Sequence, residues 1–92
     1  MDRKVYELQS EICKALAHPV RMEITDLLQK KELCFTEILK QTGGIKSGLS
    51  QHLSIMVEKG ILRSRKDSRC HYFSLSSKKV AKACGLLKEV LV

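Results

Sequence analysis

Apolar side chains recur every three to four residues in five stretches of this sequence, a spacing that predicts five helices. These helices span roughly residues 3–16, 19–29, 34–42, 44–60 and 77–92. Two further stretches, 61–65 and 69–75, flank the turn Lys66-Asp67-Ser68 and predict a β-hairpin. The pattern therefore predicts one domain, residues 1–92, that is mainly α with a small antiparallel β-hairpin, in the order α-α-α-α-β-β-α.

The stretch from residue 44 to residue 60 has two unlike faces when it is drawn as a helix. A core stripe is formed by the apolar side chains Ile45, Leu49, Leu53 and Met56. The opposite face carries hydroxyl and amide side chains and no acidic group: Ser47, Ser50, Gln51 and Ser54. Short polar side chains suit close approach to base edges, where Gln pairs with adenine and Ser adapts to either strand. An ordinary solvated helix face is the alternative for this segment taken alone.

Turn and cap residues define how these helices connect. Gly43-Gly44 makes a tight turn between two short helices, the layout of a helix-turn-helix. His18 precedes Pro19 at a helix start, where we expect local capping or packing. Cys34 occupies the first position of a capping box with Glu37. Gly60 is expected to end the fourth helix.

Charge separates the chain into two parts. The net charge is +7, yet residues 1–43 carry as many acidic as basic side chains. Residues 44–79 carry eight basic side chains against two acidic ones, so nearly all of the excess lies in and after the polar-faced helix. The hairpin tip carries Arg65, Lys66 and Arg69 and cannot be buried, but it can reach a phosphate backbone. A helix-turn-helix with a basic hairpin is a winged helix, and double-stranded DNA is the polyanion that it most often binds.

The small size of the chain predicts a partner subunit. A chain of 92 residues alone buries only roughly 60–65% of its unfolded surface. The last helix has the apolar spacing of a seam at Val80, Cys84, Leu87 and Leu91, and with the first helix it predicts a homodimer contact. We expect no membrane span and a cytoplasmic location, because no apolar run approaches the required length and the N-terminus has no signal-peptide core. In that compartment the four cysteines should be thiols.

Three segments resemble the ArsR/SmtB family of winged-helix repressors. They are Leu16-Ala17-His18-Pro19-Val20-Arg21, Leu49-Ser50-Gln51-His52-Leu53, and Lys59-Gly60-Ile61-Leu62 continuing to His71-Tyr72. The resemblance implies a homodimer on an operator with two-fold symmetry, released when an inducer fills a sensor site. By analogy, bases are read by Ser47, Ser50 and Gln51, with Ser54 on the same face. Phosphates are held by Lys46, Arg63, Arg65, Lys66 and Arg69. For His52 a packing or phosphate role is favoured over base reading. Ile45 and Lys46 depart from the hydroxyl cap and Gln that family members often have there.

The sensor sites that the resemblance implies are incomplete in this sequence. Residues 77–92 contain neither His nor Asp for the zinc site of the last helix. The arsenic-type site of the third helix keeps only Cys34, and Asp26 and Val92 replace the cysteines of persulfide sensors. The remaining candidate sensor thiols are Cys34, Cys84, Cys13 and Cys70.

Those thiols leave three hypotheses open. The first is As(III) or Cd(II) bound by two or three thiolates, and Cys34 at a helix N-terminus is where a thiolate is most favoured. The second is oxidation or persulfidation of a thiol pair. In the third, all four are structural or incidental: Cys34 as a buried cap, Cys13 and Cys84 as small packing residues, and Cys70 as an exposed wing residue.

The sequence thus predicts a homodimeric, sequence-specific transcriptional repressor, released from its operator by a thiol-reactive or thiophilic inducer. An enzyme is not expected, because the chain has no Ser/His/Asp or Cys/His constellation at workable spacing, no phosphate-binding Gly loop and no paired carboxylates in an apolar setting. Two alternatives remain at this point. One is a winged helix used only for protein interaction, and the other is a constitutive DNA binder whose cysteines are structural.

Overall fold

The computed structural model describes residues 1–91, so Val92, the last residue of the fifth predicted helix, lies outside the described residues. Within this range the elements are α1 (Arg3–Leu16), α2 (Pro19–Leu27), β1 (Leu33–Cys34), α3 (Phe35–Thr42), α4 (Lys46–Glu58), β2 (Leu62–Asp67), β3 (Cys70–Leu75) and α5 (Lys78–Lys88). This order confirms the predicted winged helix-turn-helix. The observed boundaries differ from the predicted ones by a few residues, mostly because capping residues lie outside the helices.

The sheet has one strand more than predicted. Its order is β1-β3-β2, and the short strand β1 pairs Leu33 with Phe73 and Cys34 with Tyr72. A strand of two residues has no period of its own in sequence, because it exists only through its pairing with β3. The fold is therefore a helix-turn-helix whose wing is anchored to the start of α3.

The predicted hairpin turn was wrong by two residues. Asp67 pairs with Cys70, so Lys66 and Asp67 belong to β2 and the loop consists of Ser68 and Arg69. Ser68 has φ 60°, a positive value that suits the first position of a two-residue hairpin loop of type II′. Such a loop matches the twist of the flanking strands, which explains why the ladder extends to the tip.

The core lies between α2, α3, α4 and the inner face of the sheet. Its least exposed large side chains are Ile24, Ile38, Leu53 and Met56, each at most 1% exposed. The assignment of Ile45 to this core was wrong, because its side chain is 73% exposed. Ile45 is the N-cap of α4 with an extended backbone, so the helical spacing that links Leu49 and Leu53 does not apply to it.

The predicted caps are observed. The Val20 N–H donates to Nδ1 of His18 at 3.1 Å, which confirms the local capping role of this histidine. The Cys34 N–H donates to Oε1 of Glu37 at 3.0 Å, the reciprocal half of the predicted capping box. The hydrogen bond lowers the pKa of the Glu37 carboxyl. Gly43 ends α3 with φ 70°, a conformation that glycine adopts at little cost.

The helices α1 and α5 pack poorly within one chain. Each has a single buried residue, Ala15 in α1 and Ala81 in α5. The exposed apolar side chains on and next to these helices include Val5, Tyr6, Leu8, Ile12, Leu86, Leu87, Val90 and Leu91. The chain exposes 6902 Å² in all, whereas a compact monomer of its mass exposes roughly 5,400 Å². No helix within residues 1–91 has the length and apolarity that a membrane crossing requires.

Candidate nucleic-acid interface

The exposed face of α4 carries the side chains that the sequence predicted to read bases. Ser47, Ser50, Gln51 and Ser54 are all exposed. The opposite side of the helix is fixed in the core by Leu49, Leu53 and Met56, at most 3% exposed. No acidic side chain lies in the first turn. The helix is thus a firmly seated element with an uncharged polar outer face.

The N-terminus of α4 is open. Ile45 cannot cap the helix through its side chain, and no side-chain cap bond is made there. The first N–H groups of a helix need an acceptor, and a phosphate oxygen is a suitable one. A Cβ added at Gly48 would lie 3.6 Å from Cγ1 of Ile45, so the isoleucine leans along the first turn. Sequence reasoning missed this exposed position, although its place directly after the Gly43-Gly44 turn could have indicated it.

A polar contact joins α4 to the start of α2. Nε of Arg21 donates to Nδ1 of His52 at 3.1 Å, and Nη1 of the same side chain donates to the Ala15 carbonyl at 3.2 Å. The rings of His18 and His52 lie 4.3 Å apart between centroids. Burial lowers the pKa of His52, and the charges of His18 and Arg21 lower it further. This geometry gives His52 a packing role, as a neutral acceptor that orients α4.

The predicted wing cations fall into two groups. Arg63, Lys66 and Arg69 have no ion-pair partner within residues 1–91. Arg65, by contrast, binds both carboxylate oxygens of Glu32, the first through an Nε–Oε2 bond of 2.9 Å. The structure therefore leaves three of the four predicted wing cations free and engages the fourth.

Arg65 is held on the outer face of the sheet. Its guanidinium carbon lies 4.5 Å from the centroid of the Tyr72 ring, and Asp67 is a further partner at 3.7 Å. The hydrogen bond to Arg65 lowers the pKa of Glu32, and the same contact raises the pKa of Arg65. Because these groups are exposed, we assign the contact a positioning role for β1 against the hairpin.

A groove of about 350 Å³ separates α4 from the sheet. Ser50 and Ser54 line its helix side, whereas Ser64 and His71 line its sheet side. The centroids of the His71 and Phe73 rings lie 4.4 Å apart on the inner face of the sheet. Part of the predicted reading face therefore borders the hairpin rather than standing alone.

The four candidate thiols are separated into two pairs of regions. Cys13 is exposed on α1, and the half-buried Cys84 lies on α5, in a groove between α2 and α5. Cys34 and Cys70 both belong to the sheet, on β1 and β3. Within residues 1–91 no cluster of three or more His, Cys, Asp or Glu side chains is placed to hold a metal ion. A single chain therefore offers at most two thiols together.

The fold and this surface define a winged helix-turn-helix DNA-binding protein. Residues 18–64 match the sequence model of bacterial regulatory proteins of the arsR family. The chain is 31% identical over 88 residues to the uncharacterized HTH-type transcriptional regulator Rv0081 of Mycobacterium tuberculosis (strain ATCC 25618 / H37Rv), covering 95% of this chain and 77% of that protein. The chain belongs to the ArsR family, as the resemblance predicted.

Solved structures agree with this assignment. HlyU from Vibrio cholerae N16961 superposes with a TM-score of 0.87 at 28% identity, covering 97% of both chains. The homodimeric winged helix-turn-helix DNA-binding domain of Mb0332 from Mycobacterium bovis superposes with a TM-score of 0.84 at 27% identity, covering 99% of this chain and 86% of that chain. The protein is a DNA-binding transcriptional regulator and not an enzyme, as membership of this family shows.

Proposed function

We propose that this protein is a homodimeric, sequence-specific repressor that inserts α4 of each subunit into the major groove of a double-stranded operator. One observation carries the proposal: an uncharged polar face on a helix seated in the core, next to wing cations that have no partner within residues 1–91. A face without charge can approach base edges, whereas the cations beside it suit phosphates. The two roles are thus divided between neighbouring parts of one surface.

Base reading falls to Ser47, Ser50 and Gln51 in this proposal, with Ser54 at the edge next to the hairpin. Gln51 is the side chain suited to a bidentate pair with adenine. Ile45 joins this group because its exposed side chain stands at the helix N-terminus, where it suits contact with a thymine methyl group.

Phosphate contacts fall to Lys46, Arg63, Lys66 and Arg69, together with the open N-terminus of α4. Arg65 would contribute less than the other wing cations, since its guanidinium already binds Glu32. Its proposed task is to hold the wing at a fixed angle to the start of α3.

Dimerisation would use α1 and α5. Their apolar side chains are the largest exposed apolar group of the chain, and they include Leu8 at 60% and Leu87 at 66% exposure. The related Mb0332 domain is homodimeric. Two copies related by a two-fold axis would present two α4 helices to half-sites about 10 base pairs apart.

The inducer is proposed to act on thiols in the cytoplasm, by soft-ion binding or by oxidation. The supporting observation is that each of the four thiols lies on an element that the repressor needs. Cys13 and Cys84 lie on the proposed dimer helices, while Cys34 and Cys70 lie in the wing sheet.

Selection from a pool of random duplexes tests the repressor proposal. The reduced protein should enrich an inverted repeat with a half-site spacing of about one helical turn. Gln51→Ala should relax the preference at one position of each half-site, and Gln29→Ala, an exposed Gln outside this surface, should leave the enriched sequence unchanged. Enrichment of no sequence by the unaltered protein would contradict the proposal.

A further inference from the structure

The sheet register brings two cysteines that are far apart in sequence onto one surface. Cys34 on β1 lies directly opposite Tyr72 on β3, and directly opposite residues of neighbouring strands share a face. Cys70 precedes Tyr72 by two residues on the same strand and so lies on that same face. The two thiols are therefore diagonal neighbours that flank Tyr72 on the outer face of the sheet.

The surroundings of this pair are polar and open. Cys70 is exposed and Cys34 is half-buried, so reagents from solvent reach both. Sγ of Cys34 lies 3.1 Å from Oγ1 of Thr36. The pKa of the Tyr72 phenol is raised by its hydrogen bond with Cys70, and the Cys34 thiol adds to this shift. Both thiols thus act on one phenol.

Diagonal spacing decides what could join the two sulfur atoms. Diagonal neighbours in a sheet have Cα atoms about 7–8 Å apart. A disulfide needs a Cα separation of about 4.4–6.8 Å, so direct S–S bonding would require the strands to shift. A bridging atom that bonds to both sulfurs lengthens the reach and removes that requirement. Thiolates prefer soft, thiophilic centres as ligands.

We propose that Cys34 and Cys70 form a dithiol site that captures a trivalent arsenical through one arsenic atom bonded to both sulfurs. An organoarsenous acid, R–As(OH)₂, would exchange two As–O bonds for two As–S bonds. The two thiol protons leave with the two hydroxides as water, and arsenic stays trivalent, so no oxidant is consumed. The site uses one thiol from the start of α3 and one from the tip of the wing.

Capture would tie the wing tip to the start of α3. Cys70 directly follows the Ser68-Arg69 loop, and Tyr72 between the two thiols is the ring that supports Arg65. A bridging group on this face would disturb that contact and the orientation of Arg69. The effect on operator release rests on the proposed repressor function, whereas capture itself does not.

Phenylarsine oxide with the purified, reduced full-length protein is the probe. Native mass spectrometry should show one arsenical per chain, reversed by a small dithiol and resistant to a monothiol. Alkylation of the bound wild-type protein should leave Cys34 and Cys70 unmodified while Cys13 and Cys84 react. Cys34→Ser and Cys70→Ser should each weaken capture by about a hundredfold or more, because two-point attachment is lost. The matched changes Cys13→Ser and Cys84→Ser should leave it intact.

The proposal is overturned if capture survives either of the first two substitutions, or if alkylation shows protection of Cys13 or Cys84 instead. The alkylation pattern needs no variant, so it decides the matter even where a substitution impairs folding. DNA binding by the untreated protein is scored separately. Its failure would contradict the repressor function and leave the capture result standing.

Discussion

Two surfaces of this protein look unfinished in a single chain, and they differ in kind. The helices α1 and α5 expose Leu8, Ile12, Leu87 and other apolar side chains that water solvates poorly. The helix α4 and the hairpin expose hydroxyl, amide and cationic groups, while the opposite side of α4 is buried. An apolar surface gains from a dry, permanent cover, whereas a polar and cationic one stays stable in water. The first therefore suits a second subunit and the second suits a partner that comes and goes, such as DNA.

The largest expected effect comes from placing a charge on the apolar surface. Leu8→Asp would bury an unpaired carboxylate in the proposed dimer contact, so we expect a single chain in sedimentation experiments. With only one half-site held at a time, operator affinity should fall by about a hundredfold or more. Ser10→Asp introduces the same charge at an exposed position of α1 and is the matched control. A dimer that tolerates Leu8→Asp would place the contact elsewhere.

Salt should separate the two surfaces. Operator affinity should drop about a thousandfold between about 50 and 200 mM salt if some six phosphates are contacted. The dimer contact is apolar and should change little over the same range. Arg69→Ala should lower the slope of the log–log plot by about one. If affinity is insensitive to salt, the cationic surface does not bind a polyanion, and a protein-interaction module becomes the better interpretation.

Within the polar surface, base reading and phosphate binding should be separable. Gln51→Ala should cost about 1–3 kcal/mol at one base position, because an amide pair is lost there. Arg69→Ala should weaken every duplex alike. Arg65→Ala should have less effect on affinity than Arg69→Ala, since Glu32 already binds its guanidinium. Competition binding with single-base operator variants measures all three. Equal losses across all duplexes for Gln51→Ala would show that this helix face does not read sequence.

The smallest expected effect concerns pH and the seat of α4. The pKa of His52 is lowered in the folded protein, chiefly by burial, so folding favours the neutral ring. This contribution to stability is present above the unfolded pKa of about 6.5 and is lost as the pH falls through that value towards the folded pKa. Urea unfolding at several pH values should show this decline. In His52→Gln the decline should be smaller, and an unchanged profile would contradict the assignment.

Much of the fold could be predicted from the sequence because its elements follow local rules. The helical spacing of Leu49, Leu53 and Met56 and the caps at His18 and Glu37 depend on residues near each other in the chain. The polar face of α4 follows from the same spacing. These features need no knowledge of tertiary contacts.

The remaining features depend on residues far apart in sequence. The strand β1 exists only through pairing with β3, and the contact between Glu32 and Arg65 spans 33 positions. Sequence periodicity gives no sign of either. For the same reason the four cysteines looked scattered, and only the sheet register places Cys34 near Cys70. Ile45 was misplaced because a helical pattern was extended one residue beyond the helix.

The central claim is that two subunits, joined by the apolar surface, present two cationic surfaces to one duplex. Mass photometry or sedimentation of the protein with its selected duplex at low ionic strength tests this claim most directly. The account predicts a complex of two chains on one duplex, formed from a dimer that exists before DNA is added. A single chain bound to the duplex, or no complex at all, would contradict it.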